Sequence, residues 1–468
     1  MNNNILYSSK NITALENNID KIYDNSVKAT YDILEPKQLE YFQVKDIIRT
    51  FIKNNKRVVY GGTAYYEIIK NNKKIENIYK PWERYDIEFY SPTPIKDMIN
   101  LCNILYKEKF NYVVGRQSQH HETYTIFVNF VQYCDITYMP KIIYDNIDHI
   151  LIDDIAYIHP NLILIDIFRI YTDPLTSYWR LNKVVKRMKL LLSSYKYDFS
   201  KTSSLIYTNK QFKLINYIID NIPIDKYIMT GQMAYLLYTS TKQQIDVSLL
   251  DQLEIITDNV DNLVIKIKEL ILQFLYNNDK FINFDKYFTI KYYSKFFQYW
   301  DKRVIIYFDT TRHYSQLTNL YPSKHNAPIV TIIGSNNRCL PYIKYTLYNR
   351  IFNISSYILT FNYFLIGFYY EKIHNLGFYF KDKDIINSLL TSRNFYLKKK
   401  KKTILDNTIY KEFIIDCIGE TTDFTREYFL RISKNKIKGI QSIINYDPSK
   451  RTHIEESYDQ ADGLEIKN

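Results

Sequence analysis

A chain of 468 residues can bury two or more cores and needs no covalent or metal staple to fold, which sets it apart from small disulfide scaffolds. Its four cysteines, Cys102, Cys134, Cys339 and Cys417, are scattered without paired spacing, as expected in a reducing compartment. The 62 basic residues against 50 acidic leave a formal charge of +12, which suits a polyanionic partner and equally suits a lysine-rich, AT-rich genome that also favours 47 tyrosines over 10 glycines.

Residues 1–30 are polar and Asn-rich and read as an N-terminal arm; they lack the basic patch and apolar core of a signal peptide. Apolar residues then recur at helical spacing from "YDILEPKQLEYF" to "DIIRTFIKNN", followed by the β-branched run "RVVY" and a Gly-Gly pair, Gly61 and Gly62, in front of "TAYYEIIKNN". This predicts helix, strand, tight turn, helix. In "RYDIEFYSP", Asp86 and Glu88 alternate with Tyr85, Ile87 and Phe89, which predicts a strand with its charges on one face. A helix over "IKDMINLCNILYKEKF" and two or three strands up to "VQYCDITYMP" follow, the last carrying Asp135. "QHHE" at 119–122 reads as surface strand rather than a metal site, because adjacent histidines on a strand face opposite ways. A basic helical stretch broken at Pro174 closes the unit near residue 196.

The pattern then repeats. "YIMTGQMAYLLYTS" at 227–240 resembles "RVVYGGTAYYEIIK" at 57–70, with Gly231 on Gly61; "LEIITDN" at 253–259 falls where "YDIEFYSP" does, and "VIIYFDTT" at 304–311 where "VQYCDITY" does. On this alignment Glu254 stands for Asp86, Ile256 for Glu88 and Asp309 for Asp135, so the second copy lacks the carboxylate pair and is expected to scaffold. The apolar stretch at 357–373 is interrupted by Thr360 and Asn362, is short for a bilayer, and reads as a buried helix. The lysine run 398–402 reads as a charged loop, and residues 433–468 as a polar, unstructured tail.

Two carboxylates at i and i+2 on one strand repel unless a cation or base sits between them. With Asp135 on a neighbouring strand they form an oxygen-only donor set, which suits Mg²⁺ or Mn²⁺ better than zinc. The Gly61-Gly62 turn at a helix N-terminus lets backbone N–H groups approach phosphate oxygens, and Thr63 adds a hydroxyl. Lys183 and Arg187, four residues apart on the helix after Pro174, either meet phosphates or form a solvated basic face.

These elements, GGT at 61–63, "YDIEF" at 85–89 and "YCDIT" at 133–137, resemble the nucleotidyltransferase superfamily of DNA polymerase beta. Length, composition, the "DPLTSYWRLNKVVKRMK" segment and the degenerate second copy are similar to the poly(A) polymerase catalytic subunits of large cytoplasmic DNA viruses, of poxvirus and giant-virus type. One departure is Glu88 where many relatives carry Asp, which alters side-chain reach.

The resemblance implies an α+β fold, with a catalytic nucleotidyltransferase domain over 31–196 and a degenerate nucleotidyltransferase-like and helical domain over 197–432. It implies template-independent transfer of AMP from ATP to the 3′ end of single-stranded mRNA, with release of pyrophosphate, in the host cytoplasm or viral factory or packaged in the virion. Asp86, Glu88 and Asp135 would hold two Mg²⁺ or Mn²⁺ ions, and Gly61, Gly62, Thr63, Lys183 and Arg187 would bind the nucleotide. A homodimer is expected by this resemblance, the alternative being a heterodimer with a cap-methylating processivity subunit; no membrane is involved. Base choice depends on pocket shape, so a uridylyl- or CCA-adding enzyme remains a rival, and a non-catalytic RNA-binding scaffold is the rival from another class.

Overall fold

The computed structural model describes residues 6–33, 38–72, 84–120, 122–197, 213–278, 283–297, 300, 302–308, 327–335, 338–370, 383–415, 417–418, 426, 429–430, 433, 444–450 and 465–466. The chain forms two compact units. The first comprises Met1–Tyr138, His149–Ile158 and Ile432–Glu456; the second comprises Met139–Asp148, His159–Arg431 and Ser457–Asn468.

The first unit is built on β1 (Val58–Tyr60), β2 (Ile87–Ser91), β3 (Val114–Gln117), β4 (Thr123–Val128), β5 (Val131–Tyr138), β6 (His149–Ile152) and β7 (Ile155–Ile158). The β-branched run before the glycines makes β1, which pairs antiparallel with β2 and parallel with β7. Ile87 and Phe89 are buried on β2, while Glu88 between them keeps partial access. The helix Gln38–Asn54 buries Val44, Ile48, Phe51 and Ile52 at the spacing of one helix face. The helix Pro94–Lys107 starts on Pro94 and buries Met98, Leu101, Cys102 and Leu105. Arg57, at the entry to β1, grips buried Asp97 of that helix bidentately at 2.6 and 2.9 Å, fixing strand to helix.

The second unit holds β8 (Ile228–Thr230), β9 (Leu253–Thr257), β10 (Phe288–Tyr293), β11 (Arg303–Phe308), β12 (Ala327–Gly334), β13 (Leu340–Leu347), β14 (Arg350–Ser355) and β15 (Cys417–Ile418). The segment after residue 433 supplies β16 (Asn445–Tyr446), paired with β3, and β17 (Glu465–Ile466), paired with β10. Strand order is β16-β3-β4-β5-β2-β1-β7-β6 in the first sheet and β15-β13-β14-β8-β9-β12-β11-β10-β17 in the second. Read from the β17 end, the second order reproduces the first strand for strand, with β15 added. The duplication expected from three short matches is therefore a property of the whole topology.

Register corrects how the copies align. Glu88 stands opposite Tyr60, and Glu254 opposite Thr230, each residue preceding the glycine that opens a helix. Glu254 therefore corresponds to Glu88, and Gln252 to Asp86. On the parallel neighbour, Asp135 faces Glu88 and Thr331 faces Glu254, so Thr331 replaces the third acid. Asp309 lies outside the described residues; the strand before it, β11, occupies the place of β4. Repeated apolar residues let the sequence slide by two places, which preserves strand facing and hides the error.

Other segments also differ from their sequence reading. The helices Pro160–Tyr171 and Leu181–Ser194 cluster with the second unit, whereas the sequence division ran to 196, and residues of the supposed tail form edge strands in both sheets. The 1–30 arm contributes to an exposed helix, Ser9–Ile33, with no buried residue. The described residues of "QHHE" lie in the connection between β3 and β4, not on a strand; His121 lies outside the described residues. Lys398, Lys399 and Lys400 form the last turn of the helix Lys383–Lys400, where their charge complements the helix dipole, rather than a loop. Cys102 and Cys134 are free and buried, but Cys339 is disulfide-bonded, contrary to four unpaired thiols. The helix Tyr357–Tyr370 is buried through Ile358, Phe361, Phe364 and Leu365, as its sequence implied. Among the described residues, no helix is long and apolar enough to cross a membrane.

Candidate active site

Gly61 answers first to a carboxylate. Its φ is +66°, and a Cβ there would lie 1.8 Å from Glu88 Oε2, so both backbone and contact require glycine. Gly62 N–H donates to that same Glu88 oxygen at 2.7 Å, satisfying one of the free donors at the start of the helix Gly61–Asn71. Thr63 is buried and donates its hydroxyl to the Asp86 carbonyl at 2.9 Å. The hydrogen expected to meet a phosphate is thus engaged in fixing the entry to β2.

Asp86 and Asp135 converge on one side-chain amide. Gln132 Nε2 donates to Asp86 Oδ2 at 3.0 Å and to Asp135 Oδ2 at 3.1 Å. Asp135 also accepts the Thr125 hydroxyl at 2.5 Å. Burial pushes its carboxyl up to about 6; the Thr125 hydrogen bond opposes the rise, the nearby Asp86 charge adds to it, and Gln132 opposes it. Glu88 and Asp135 share a register position on adjacent parallel strands, and Asp86 is two residues from Glu88, so all three belong to one sheet face.

Of the three expected carboxylates, Glu88 is held by a separate donor. Among the described residues, no three His, Cys, Asp or Glu side chains are gathered closely enough to hold a metal. Asp86 and Asp135 form a pair around Gln132, while Glu88 turns to the helix N-terminus, where a donor and the dipole stabilise its charge. The residues nonetheless suit a hard divalent ion: two carboxylates share one donor, all ligating atoms are oxygen, and Glu88 lies on the same face.

Sequence reasoning missed the residues that hold Asp86 in place. Tyr41 OH donates to the Tyr85 carbonyl at 2.8 Å and accepts from the Tyr85 N–H at 2.9 Å. Lys45 Nζ donates to the same carbonyl at 3.2 Å and lies 3.3 Å from the Tyr85 ring centroid. Burial and neighbouring Arg49 push the Lys45 amine down to about 7, against the pull of Asp86. The legible signal was a lysine on the stripe Tyr41, Val44, Lys45, Ile48 that the helix buries. Gln132 carried no signal beyond standing three residues before Asp135. Gly61, Gly62, Thr63, Asp86, Glu88 and Asp135 come together in the first unit, whereas Lys183 and Arg187 stand on the helix Leu181–Ser194 of the second, Lys183 exposed and Arg187 partly buried.

Glycine-led helix, short antiparallel strand pair and acids on adjoining parallel strands define a nucleotidyltransferase-type module. The family described as "Poly(A) polymerase catalytic subunit" matches residues 46–177, and a second family, the C-terminal region of the mimivirus (APMV) poly(A) polymerase catalytic subunit, matches 188–465. A protein of Acanthamoeba polyphaga mimivirus described as a poly(A) polymerase catalytic subunit is 32% identical over 467 residues, covering 92% of this chain and 76% of that protein. A counterpart from African swine fever virus, isolate Pig/Kenya/KEN-50/1950, is 26% identical over 43% of this chain and 41% of its own length. The crystal structure of the Megavirus polyadenylate synthase matches with a TM-score of 0.79 and 31% identity, covering 96% of this chain and 88% of that one. The chain belongs to the poly(A) polymerase catalytic subunit family of giant viruses and is a polynucleotide adenylyltransferase. Membership in that family implies ATP as substrate and use of a divalent metal.

Proposed function

We propose that the chain adds AMP to the 3′ end of single-stranded mRNA without a template, in the cytoplasm or viral factory, using Asp86, Glu88 and Asp135 with Mg²⁺ or Mn²⁺. The observation that carries the reading is the convergence of Asp86 and Asp135 on the Gln132 amide, beside a helix N-terminus opened by Gly61 and Gly62. When bound, the metal pair supplies positive charge for the triphosphate and for the attacking oxygen. The RNA 3′ oxygen bonds to the α-phosphorus of ATP as the bond to the pyrophosphate leaving group breaks. A carboxyl oxygen of Asp135 accepts the proton of the attacking hydroxyl. The Gly62 N–H holds a phosphate oxygen once Glu88 releases it, and Thr63 keeps Asp86 in register. Lys183 and Arg187 contact phosphates of the nucleotide or RNA.

Self-association completes the reading. Ile12, Leu15, Ile19 and Ile22 recur at steps of three and four along the helix Ser9–Ile33 and are all exposed, the spacing of a coiled-coil seam for a second copy. Light scattering of wild type against Ile19→Lys checks it: a monomeric wild type that still adds long tails would overturn it.

Extension of a labelled RNA with each NTP separately, in Mg²⁺ and in Mn²⁺, tests the chemistry against Asp86→Ala. Long tails from ATP alone that vanish in the variant are expected. Growth on UTP or CTP would overturn the base assignment, and extension by Asp86→Ala would overturn the site.

A further inference from the structure

The second unit carries a cleft of about 50 Å³ on the sheet face that holds Glu254 and Thr331. Ile256 and Ile333 lie two residues beyond those positions on their strands and line it. By this measure the space admits a few waters or one small anion, and a whole nucleotide is too large. Arg169, Arg338 and Asn362 line it as well.

Their chemistry is one-sided. Among the described residues, none accepts a hydrogen bond from the Arg338 guanidinium, and no carboxylate lies within ion-pair distance of it. Burial and the neighbouring Arg169 charge push Arg338 down to about 10, against the weaker pull of Asp173 and Asp166. Asp166 is committed to Arg169 at 3.4 Å; Asp173 accepts the Thr176 hydroxyl on Oδ2 at 2.5 Å, while its Oδ1 is buried without a partner. Asn362 is only 4% exposed and its amide oxygen is buried without a partner. An orphaned buried amide costs about 1–3 kcal/mol, so a ligand with hydrogen-bonding atoms is the physical remedy. Amide orientation can reverse to present N–H₂ to an acceptor.

We propose that this cleft is a second anion site that takes a phosphate-class oxyanion between Arg338, Arg169 and the Asn362 amide. A guanidinium fork matches such an anion in shape and charge. The cleft belongs to the second unit, whereas Asp86 and Asp135 belong to the first, and it does not rest on the catalytic reading. Free phosphate or pyrophosphate and an RNA backbone phosphate share the required chemistry.

Titration calorimetry of the full chain in EDTA and fixed chloride, with phosphate, pyrophosphate and short oligo(A) as probes, tests it. Saturable binding of phosphate or pyrophosphate is expected in wild type and in Asp86→Ala, weakened at least tenfold in Arg338→Gln and in Asn362→Asp, which places a negative charge against the anion. The two variants cover each other if one fails to fold, as judged by circular dichroism. Oligo(A) displaced by phosphate and weakened by Arg338→Gln would assign the site to RNA; indifferent oligo(A) would assign it to the free anion. Absence of saturable binding, or equal binding by wild type and both variants, would overturn the proposal. Loss of tail extension in Asp86→Ala with anion binding intact separates this site from the catalytic one.

Discussion

The two sheets keep one contact and differ in two. In both, the second residue of the glycine-led helix donates its N–H to a carboxylate on the neighbouring strand: Gly62 to Glu88 at 2.7 Å, and Gln232 to Glu254 at 2.6 Å. Where the first unit has Asp86 and Asp135 sharing Gln132, the second has Gln252 donating to the Thr331 hydroxyl at 2.7 Å. A direct neutral hydrogen bond has taken the place of two acids. The carboxylate retained in both copies accepts the N–H at the helix start in each, and the acid pair is present only in the first unit.

The largest effect should fall on that pair. Asp86→Ala and Asp135→Ala are each expected to lower RNA extension by ~10³-fold or more, whereas Gln252→Ala should cost about 1–3 kcal/mol of stability and leave extension within a few-fold. Extension assays beside denaturant melts separate the two results. A comparable loss of extension in folded Gln252→Ala would erase the distinction between the copies.

Next comes the buried acid of the second unit. Glu254 accepts Gln232 N–H and the Tyr363 hydroxyl at 2.6 Å, yet burial pushes its carboxyl up to about 7. The unfolded chain releases that proton near 4.5, so the folded form binds more protons between these values. Its stabilising contribution is full below about pH 4.5 and is lost as pH rises toward 7, by about 3 kcal/mol. Thermal melts across that window should show the decline in wild type and a flatter profile in Glu254→Gln.

Glycine replacement sharpens the shared feature. Gly231 has φ +57°, and a Cβ there would lie 1.6 Å from Glu254 Oε2, closely matching Gly61. Gly61→Ala and Gly231→Ala should each cost about 1–3 kcal/mol from left-handed backbone alone, and only the first should also depress extension. The smallest effect is Thr63→Val: loss of its bond to the Asp86 carbonyl should cost about 0.5–1.5 kcal/mol with a modest fall in kcat. An unchanged Thr63→Val enzyme would remove the positioning role.

Much of this was legible in the sequence. β-branched "RVVY", the glycines and the alternating "YDIEF" marked strand, turn and strand because each obeys a local rule. Register was not legible: Glu254 looked like Asp86 because a two-residue slide keeps every side chain on its face, and only the pairing with Thr230 resolves it. Gln132 carried no signal, and Tyr41 and Lys45 only that of a lysine on a buried stripe, because their contacts to Asp86, Asp135 and Tyr85 depend on tertiary approach. The second strand neighbour of Glu254, β12, was missed altogether, since the motif-like "VIIYFDTT" attracted the match one strand too early.

Strands β16 and β17 also govern the order in which the chain can mature. Residues 445–446 close one edge of the first sheet at Arg116 and Gly115, and residues 465–466 close one edge of the second at Tyr292 and Tyr293. Both are long-range pairings, slow to form because distant segments must meet. During synthesis, each sheet keeps that edge open for strand addition until these residues emerge.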